Sequence, residues 1–241
     1  MNKNILILLL IILSGCAQKR ENKEIDPSFF TKPSTILITE TTGLKSPSYH
    51  VHMDYDAGGN LIAGLIMGLA RGIAESANQE AAQAVMAMDV SHTVSQHYYE
   101  PFKKSFENRH MTITIPNTPL LPEALVEAEK DDHKFAPFDF KFLKDHHNVE
   151  YALILNPVIV GITRRPGLFG QSIKNVNLAF YLINLSDNSV EGYYNASVSE
   201  AVVGEWDTPP DYDPLTKSLE ETLAKAFDQA YEFFFKTPLP A

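Results

Sequence analysis

The chain has 241 residues, of which 44% are hydrophobic and 21% are charged, as is usual for a globular protein. Its net charge of −10 argues against binding to nucleic-acid phosphates, which requires basic patches, and against electrostatic attraction to anionic lipid. Cys16 is the only cysteine, so an internal disulfide is excluded and the core alone must stabilise the fold.

The start of the chain has the pattern of a secretory signal peptide. Lys3 gives a cationic start, residues 5–13 form an unbroken aliphatic run, and small residues follow. A membrane-spanning helix needs about 20 apolar residues, so this run is too short to be one. We therefore predict a signal peptide over residues 1–15.

The end of this leader, Leu13-Ser14-Gly15-Cys16, resembles the bacterial lipobox. The resemblance implies cleavage before Cys16, a diacylglyceryl group on its thiol and a fatty acid such as palmitate on its new amine. Two or more acyl chains hold a protein stably on a membrane, whereas one does not. Ala17 follows, rather than the aspartate that often marks inner-membrane retention, so the resemblance implies the periplasmic face of the outer membrane. The alternative is an ordinary signal peptide with a chance cysteine.

Residues 16–33 are polar, charged and interrupted by proline, without a sustained period. This composition is typical of a flexible segment, and we predict a lipidated tether here. A coil of this length would span roughly 20–25 Å, so the folded domain would stay close to its membrane.

A strand and a long insertion are predicted next. Residues 34–42 are rich in β-branched side chains and are followed by Gly43, which predicts the first strand of a single domain over residues 34–236. Residues 44–88 form the insertion, which begins with a predicted loop over residues 44–60 and continues as a helix rich in glycine and alanine.

Three glycines lie four residues apart in the predicted insertion helix, namely Gly64, Gly68 and Gly72. Small residues on one side of a helix let another backbone approach closely. Since a glycine costs up to about 1 kcal/mol in a helix interior, their spacing indicates a packing role. This helix could pack on the domain's own sheet, pair with another copy, or contact the membrane beside the anchor. Its apolar run is too short to span a bilayer.

The next part of the chain is predicted to contain short helices and a strand. Asp89 is placed to cap a helix, and Pro101 should kink or shorten that helix. Strand-like alternation follows over residues 110–116, and short helices are predicted around residues 122–130 and 138–147. The apolar side chains of the first helix repeat every four residues: Val90, Val94, Tyr98, Phe102 and Phe106.

Three strands and a helix are predicted at the end. Residues 148–163 form a long apolar strand with a break or bulge at Pro157, and residues 176–185 and 190–203 form a hairpin. A helix over residues 214–236 closes the domain and precedes a short tail at 237–241. Its apolar stripe comprises Leu215, Leu219, Leu223, Phe227, Ala230 and Phe234.

This order of elements predicts an α/β fold, in the form of an α+β sandwich in which helices cover a mixed sheet of about five strands. The strand Val149-Glu150-Tyr151-Ala152-Leu153-Ile154, the strand-plus-helix opening and the hairpin before a long terminal helix resemble a superfamily of envelope domains. It includes the TolB N-terminal domain, the curli secretion lipoprotein CsgG and the penicillin-binding-protein activator LpoB. The superfamily has no catalytic signature, so the resemblance implies no catalytic residue. The helical insertion at 44–88, after the first strand, departs from its pattern.

Weak candidates for metal ligands are the alternating residues His50, His52, Asp54 and Asp56, which would share one face of a strand. Imidazole and carboxylate groups are suitable ligands for zinc. The surrounding sequence favours the alternative of a solvated polar loop. The chain contains no GxSxG elbow, no complete phosphate loop and no carboxylate pair placed across a cleft, so we predict no enzyme activity and no cofactor.

We therefore expect an outer-membrane-anchored periplasmic lipoprotein that acts as a non-enzymatic accessory or scaffold in an envelope complex. Its expected partners are the lipid bilayer, through the lipid on Cys16, and an envelope protein or a second copy of the chain. Two alternatives stay open. The first is a subunit of an oligomeric, CsgG-like secretion or membrane-associated assembly that packs through the three glycines. The second is a lipoprotein that binds a metal or a small ligand.

Overall fold

The computed structural model describes residues 20–41, 48–51, 83–120, 125–128, 134–164, 172–202 and 213–236. Several predicted features lie outside these residues. They are the signal peptide with its lipobox and Cys16, most of the insertion with Gly64, Gly68 and Gly72, and three of the metal candidates, His52, Asp54 and Asp56.

The described strands form one mixed sheet. Its strands are β1 (Thr35–Glu40), β2 (Ser48–Val51), β3 (Thr112–Thr114), β4 (Tyr151–Arg164), β5 (Ser172–Asn184) and β6 (Ser189–Ala201). Five of them follow the order β3-β1-β4-β5-β6, and the short β2 also pairs with β4. The pairs of β1 with β3 and β4, and of β2 with β4, are parallel, whereas β4, β5 and β6 are antiparallel. The predicted α/β fold with a mixed sheet of about five strands is confirmed.

The helical elements lie between and after these strands. They are a 3-10 turn (Pro27–Thr31), α1 (Ser91–Val94), a π-helical turn (Ser95–Tyr99), α2 (Glu100–Glu107), α3 (Phe142–His147) and α4 (Asp213–Phe235). The terminal helix is therefore confirmed almost residue for residue. Of the helices in the described ranges, none combines the length and the apolar character needed to cross a bilayer.

The helix that contains Pro101 continues past the proline. Asp89 accepts a hydrogen bond at its start from the backbone N–H of Ser91, at 2.9 Å. The chain is helical without a break from Ser91 to Glu107, so Pro101 lies inside a continuous helix, and a π-helical turn directly precedes α2. The helix therefore changes type before the proline rather than ending there, and the predicted kink stays a prediction.

One face of the sheet carries the larger core. The predicted apolar stripes of α1–α2 and of α4 are buried against this face, where Leu153, Phe180 and Leu182 are fully buried. The Tyr98 hydroxyl lies 3.0 Å from the backbone oxygen of Thr39 and 3.2 Å from that of Leu153, and its single proton is shared between these two acceptors. Burial raises the pKa of Tyr98 well above its ordinary value, so this phenol stays a neutral donor.

The described residues cover the other face of the sheet over only part of its length. We call residues 125–128, 134–141 and α3 the cover, and its buried side chains Ala136, Phe140 and Leu143 pack on this second face. The prediction of a helix around residues 122–130 is wrong for the described part of that range. Residues 125–128 are not helical, and Glu127 forms an antiparallel β-bridge with Phe138. The helix predicted over 138–147 begins only at Phe142.

The strand predictions hold with small changes of length. In β4 the register with β5 shifts between Pro157 and Ile159, as predicted for a bulge at the proline. The β5–β6 hairpin turns at residues 185–188, where Asn188 has a φ of 65°. The loop predicted over residues 44–60 is interrupted by β2, because its backbone pairs with the end of β4.

The segment expected to be a flexible tether is folded from residue 20 onward. Lys23 and Tyr193 exchange two backbone hydrogen bonds of 2.8 and 2.9 Å, and Ile25 is buried in the larger core. Phe29 packs edge-on against Tyr151, with ring centroids 4.8 Å apart. A few apolar side chains spaced along a polar segment are therefore enough to hold it on the domain. We call residues 20–33 the N-terminal strap.

Candidate functional site

The structure brings none of the sequence-predicted site residues together. Leu13, Ser14, Gly15 and Cys16, together with the three spaced glycines, lie outside the described residues. Of the metal candidates only the backbone of His50 is described, and it pairs with Thr163 through β2 and β4. Within the described ranges no three His, Cys, Asp or Glu residues are grouped to hold a metal ion. Metal binding at His50, His52, Asp54 and Asp56 stays a prediction, which an isothermal titration with zinc tests.

Beyond the cover, the residues that the structure describes leave the other half of the second sheet face as a separate surface. Side chains alternate between the two faces of a strand, so the even-numbered residues 174–182 of β5 lie on the helix-covered side. The odd-numbered residues lie on the second face, where the cover packs on Ala179, Tyr181 and Ile183. We call the remaining part of this face the open half-face, and it comprises Ile159, Asn175, Asn177, Ser197 and Ser199.

The strand register arranges these side chains in two adjacent rows. Asn177 pairs with Ile159 on β4 and with Ser197 on β6, and Asn175 pairs with Ser199 on β6. The serines are exposed and the asparagines are half-buried. The open half-face is therefore a surface three strands wide with short polar side chains at its centre and outer edge.

Hydrogen bonds fix one row of this surface. The Ser199 hydroxyl donates to Asn175 Oδ1 at 2.9 Å, and Asn175 Nδ2 donates to the Thr163 hydroxyl at 3.1 Å. Side chains that are already ordered lose less conformational entropy when a partner binds. All of these groups are neutral, so the surface can recognise a partner by shape, apolar contact and hydrogen bonding.

The bulge in β4 adds an exposed apolar pair to this surface. Val158 is 55% exposed and Ile159 is 49% exposed, although both lie in the middle of a central strand. The extra residue of a bulge redirects neighbouring side chains, and bulges are frequent at functional positions. Exposed apolar side chains rimmed by polar ones are typical of a protein–protein contact.

The charged side chains of Lys174, Glu200 and Lys225 on the helix-covered side of the sheet stabilise the packing of α4 against it. Lys174 is nearly buried, and its ammonium contacts Glu200 Oε2 at 3.3 Å and the backbone oxygen of Ser218 at 3.3 Å. Lys225 from α4 donates to the other oxygen of the same carboxylate at 2.6 Å. The hydrogen bond from Lys225, aided by Lys174, lowers the pKa of Glu200, so this carboxylate stays charged and ties α4 to the sheet.

A bulge at Pro157 is predicted from sequence, but the exposed apolar pair beside it is not. A signal was present, because Pro157 breaks the alternation and changes which side chains face solvent. The Asn and Ser residues of β5 and β6 also alternate with apolar ones, which is typical of a strand with one uncovered face.

The fold is that of an α/β protein with a mixed sheet. No protein-family model matches the chain, and no curated protein matches it in sequence. The chain is similar to protein XCC0632 from Xanthomonas campestris (9% identity, 87% of each chain covered, TM-score 0.38). It is also similar to the PelC dodecamer from Paraburkholderia phytofirmans (11% identity, 89% and 95% covered, TM-score 0.30) and lipoprotein GNA1162 from Neisseria meningitidis (12% identity, 82% and 99% covered, TM-score 0.27). At these scores the likenesses carry no functional inference.

Proposed function

We propose that this protein is a lipid-anchored, non-enzymatic lipoprotein of the outer membrane that faces the periplasm and binds a protein partner through its open half-face. The leader and the Leu13-Ser14-Gly15-Cys16 ending support the anchor. The observation that carries the binding role is the exposed pair Val158 and Ile159 beside a hydrogen-bonded polar row.

A protein partner fits this surface better than a charged or small ligand does. The side chains of the open half-face are neutral and lie on a sheet rather than in a cleft, whereas small-molecule sites are concave. The combination of aliphatic side chains with fixed amide and hydroxyl groups matches the mixture of apolar and hydrogen-bonding contacts in protein interfaces.

The anchor is tested on the intact protein purified from cell membranes. We expect a mass that corresponds to loss of residues 1–15 and gain of acyl groups, and a Cys16→Ser variant that keeps its leader and lacks the lipid. An unacylated native protein with its leader intact would contradict the anchor.

The binding surface is tested by a photo-crosslinking amino acid placed in the native envelope at position 159, with position 229 on the outer side of α4 as the matched control. We expect one discrete adduct from position 159 only, and we expect its yield to fall in a Val158→Ser background. Identification of the adduct by mass spectrometry separates a different envelope protein from a second copy of this chain. Equal adducts from both positions, or none from 159, would refute the assigned surface.

A further inference from the structure

The outer edge of β6 already carries an extended segment of the chain itself in one place. Tyr193 exchanges two backbone hydrogen bonds with Lys23, and the strap runs antiparallel to β6 there. The Asn195 N–H donates to Asn22 Oδ1 at 3.1 Å. The strap therefore occupies the edge of β6 from Tyr193 to Asn195, which shows that this edge accepts an extended segment.

The two contacts with the strap show which backbone groups of β6 point away from the sheet. The N–H and C=O of alternate residues in an antiparallel ladder point to the same side, so those of Ser197 and Ser199 point outward as well. The even-numbered Val202 agrees with this, because its N–H donates inward to the backbone oxygen of Ser172. Among the described residues, no group forms a hydrogen bond with the outward N–H and C=O of Ser197 or Ser199.

This part of the edge lacks the features that usually prevent strands from pairing with it. Natural sheets protect an exposed edge with charged side chains, proline or a bulge. Residues 196–199 of β6 include no charged residue and no proline, and their register with β5 is regular. The next residue, Glu200, lies on the helix-covered side, where Lys174 and Lys225 bind its carboxylate. An edge without such protection is suited to the addition of a strand from another chain.

We propose that the partner of the open half-face adds an extended segment to β6 beside Ser197 and Ser199, directly beyond the strap. This inference rests on the proposed function, because the edge and the open half-face share these two serines. The outward backbone groups of β6 would pair with the added segment, and its side chains on the second face would widen the contact by one strand. In this mode of recognition, backbone hydrogen bonds supply affinity and alternate side chains supply specificity.

The charge of the chain favours a segment of a different protein over a second copy. Each copy carries a net charge of −10, so repulsion opposes the pairing of two copies through their β6 edges. The edge itself is uncharged at residues 196–199, and the open half-face that it borders is neutral, with Ile159 as its exposed apolar side chain. We therefore expect an extended segment of low net charge whose side chains on the second face are apolar or uncharged.

Proline substitution tests the strand addition, because it removes one outward N–H and leaves the hydrogen bonds to β5 in place. Proline is tolerated in edge strands where the N–H faces solvent. The full-length protein carries the photo-crosslinking amino acid at position 159 in the native envelope, together with Ser197→Pro or with Ser197→Ala. The alanine variant is the matched control, since it loses the same hydroxyl and keeps the N–H. We expect Ser197→Pro to lower the adduct yield at least about tenfold and Ser197→Ala to lower it less than about twofold.

Two further measurements guard against a folding defect. Urea unfolding of the purified variants shows whether each one is folded, and Ser199→Pro is a second variant that removes the next outward N–H. A photo-crosslinker at position 199 of the otherwise unchanged protein should give the same adduct as position 159, because the added segment would lie directly beside it. If neither proline variant folds, this adduct decides, and its absence from position 199 overturns the inference.

The outcomes separate this inference from the proposed function. If position 159 gives its adduct and folded Ser197→Pro and Ser199→Pro leave the yield unchanged, the strand addition is wrong and the binding surface stands. If position 199 crosslinks only within its own chain, another segment of this chain occupies the edge, and if its adduct is a pair of copies, the strand comes from a second copy. Either result overturns the inference. If position 159 gives no adduct, the proposed binding role fails and the inference fails with it.

Discussion

Gly192 on β6 is the position where a single methyl group should detach the N-terminal strap. A Cβ added there would lie 2.9 Å from Ile25 Cγ1 and 3.1 Å from Phe234 Cε1, closer than side-chain atoms pack. Overpacking of this kind costs about 1–3 kcal/mol, and we expect Gly192→Ala to lower the free energy of unfolding by about 2 kcal/mol. Ile25→Ala removes the nearer atom, and by itself it should cost about 2–3 kcal/mol through lost burial.

The two changes should not be additive, because they act on one contact. In the Ile25→Ala background we expect Gly192→Ala to lower the free energy of unfolding by less than about 1 kcal/mol. Compared with about 2 kcal/mol in the wild type, this is a coupling energy of at least about 1 kcal/mol. Urea unfolding, monitored by circular dichroism on unlipidated protein, measures the free energy of unfolding of the wild type, the two single variants and the double variant. Ser197→Ala, exposed on the same strand, is the control and should change stability by less than about 0.5 kcal/mol. Additive losses would show that Ile25 does not lie over Gly192, and an Ile25→Ala variant as stable as the wild type would show that the strap is not part of the fold.

The remaining predictions concern the buried polar groups. Glu200→Gln leaves the nearly buried Lys174 ammonium without its counter-charge and should lower the free energy of unfolding by about 2–3 kcal/mol. Lys174→Met should lower it by less than about 1 kcal/mol, because Glu200 keeps its ion pair with Lys225. The same carboxylate should make the stability of the protein sensitive to acid, because the pKa of Glu200 is lower in the folded state than in the unfolded state. Its contribution to stability is present above the unfolded pKa and is lost as the pH falls through the folded pKa. The urea midpoint should therefore fall less steeply with acid in Glu200→Gln than in the wild type. Tyr98→Phe removes the hydroxyl proton shared between two buried carbonyl oxygens and should lower the free energy of unfolding by about 1 kcal/mol, measured by urea unfolding. An unchanged urea midpoint would contradict that hydrogen bond.

Much of the fold could be predicted from sequence because its periodicities are long and regular. The stripe in α4 and the alternation in β5 and β6 each repeat over several turns or pairs, so one irregular residue does not obscure them. The bulge at Pro157 was also predictable, because a proline cannot donate a hydrogen bond within a sheet.

The strap and the cover could not be predicted in this way. The strap packs on the larger core through Ile25, Phe29 and Phe30, and their burial depends on where β6 and α2 lie. The cover around Phe140 has almost no regular structure, and Asn188 positions it by bonding the Phe138 oxygen and the Phe140 N–H. Such long-range hydrogen bonds leave no periodic signal in the sequence.

The same limit applies to the candidate site. Among the residues that the structure describes, the cover ends before Asn177, and the length of a covering segment is a property of the tertiary structure. The sequence could place Asn175 and Ser199 on strands, but only the register shows that they share a row. The exposure of Ile159 follows from the shift in register after the proline.

The strap has one more consequence, for the solubility of the protein. β6 is the last strand of the described sheet. The two backbone hydrogen bonds between Lys23 and Tyr193, and the hydrogen bond from the Asn195 N–H to Asn22 Oδ1, close part of its outer edge. An edge strand that is not capped offers its free N–H and C=O groups to strands of other molecules. A proteolytic cut after residue 33 would thus expose this edge as a template for aggregation, whereas the proposed cleavage before Cys16 would leave the strap in place.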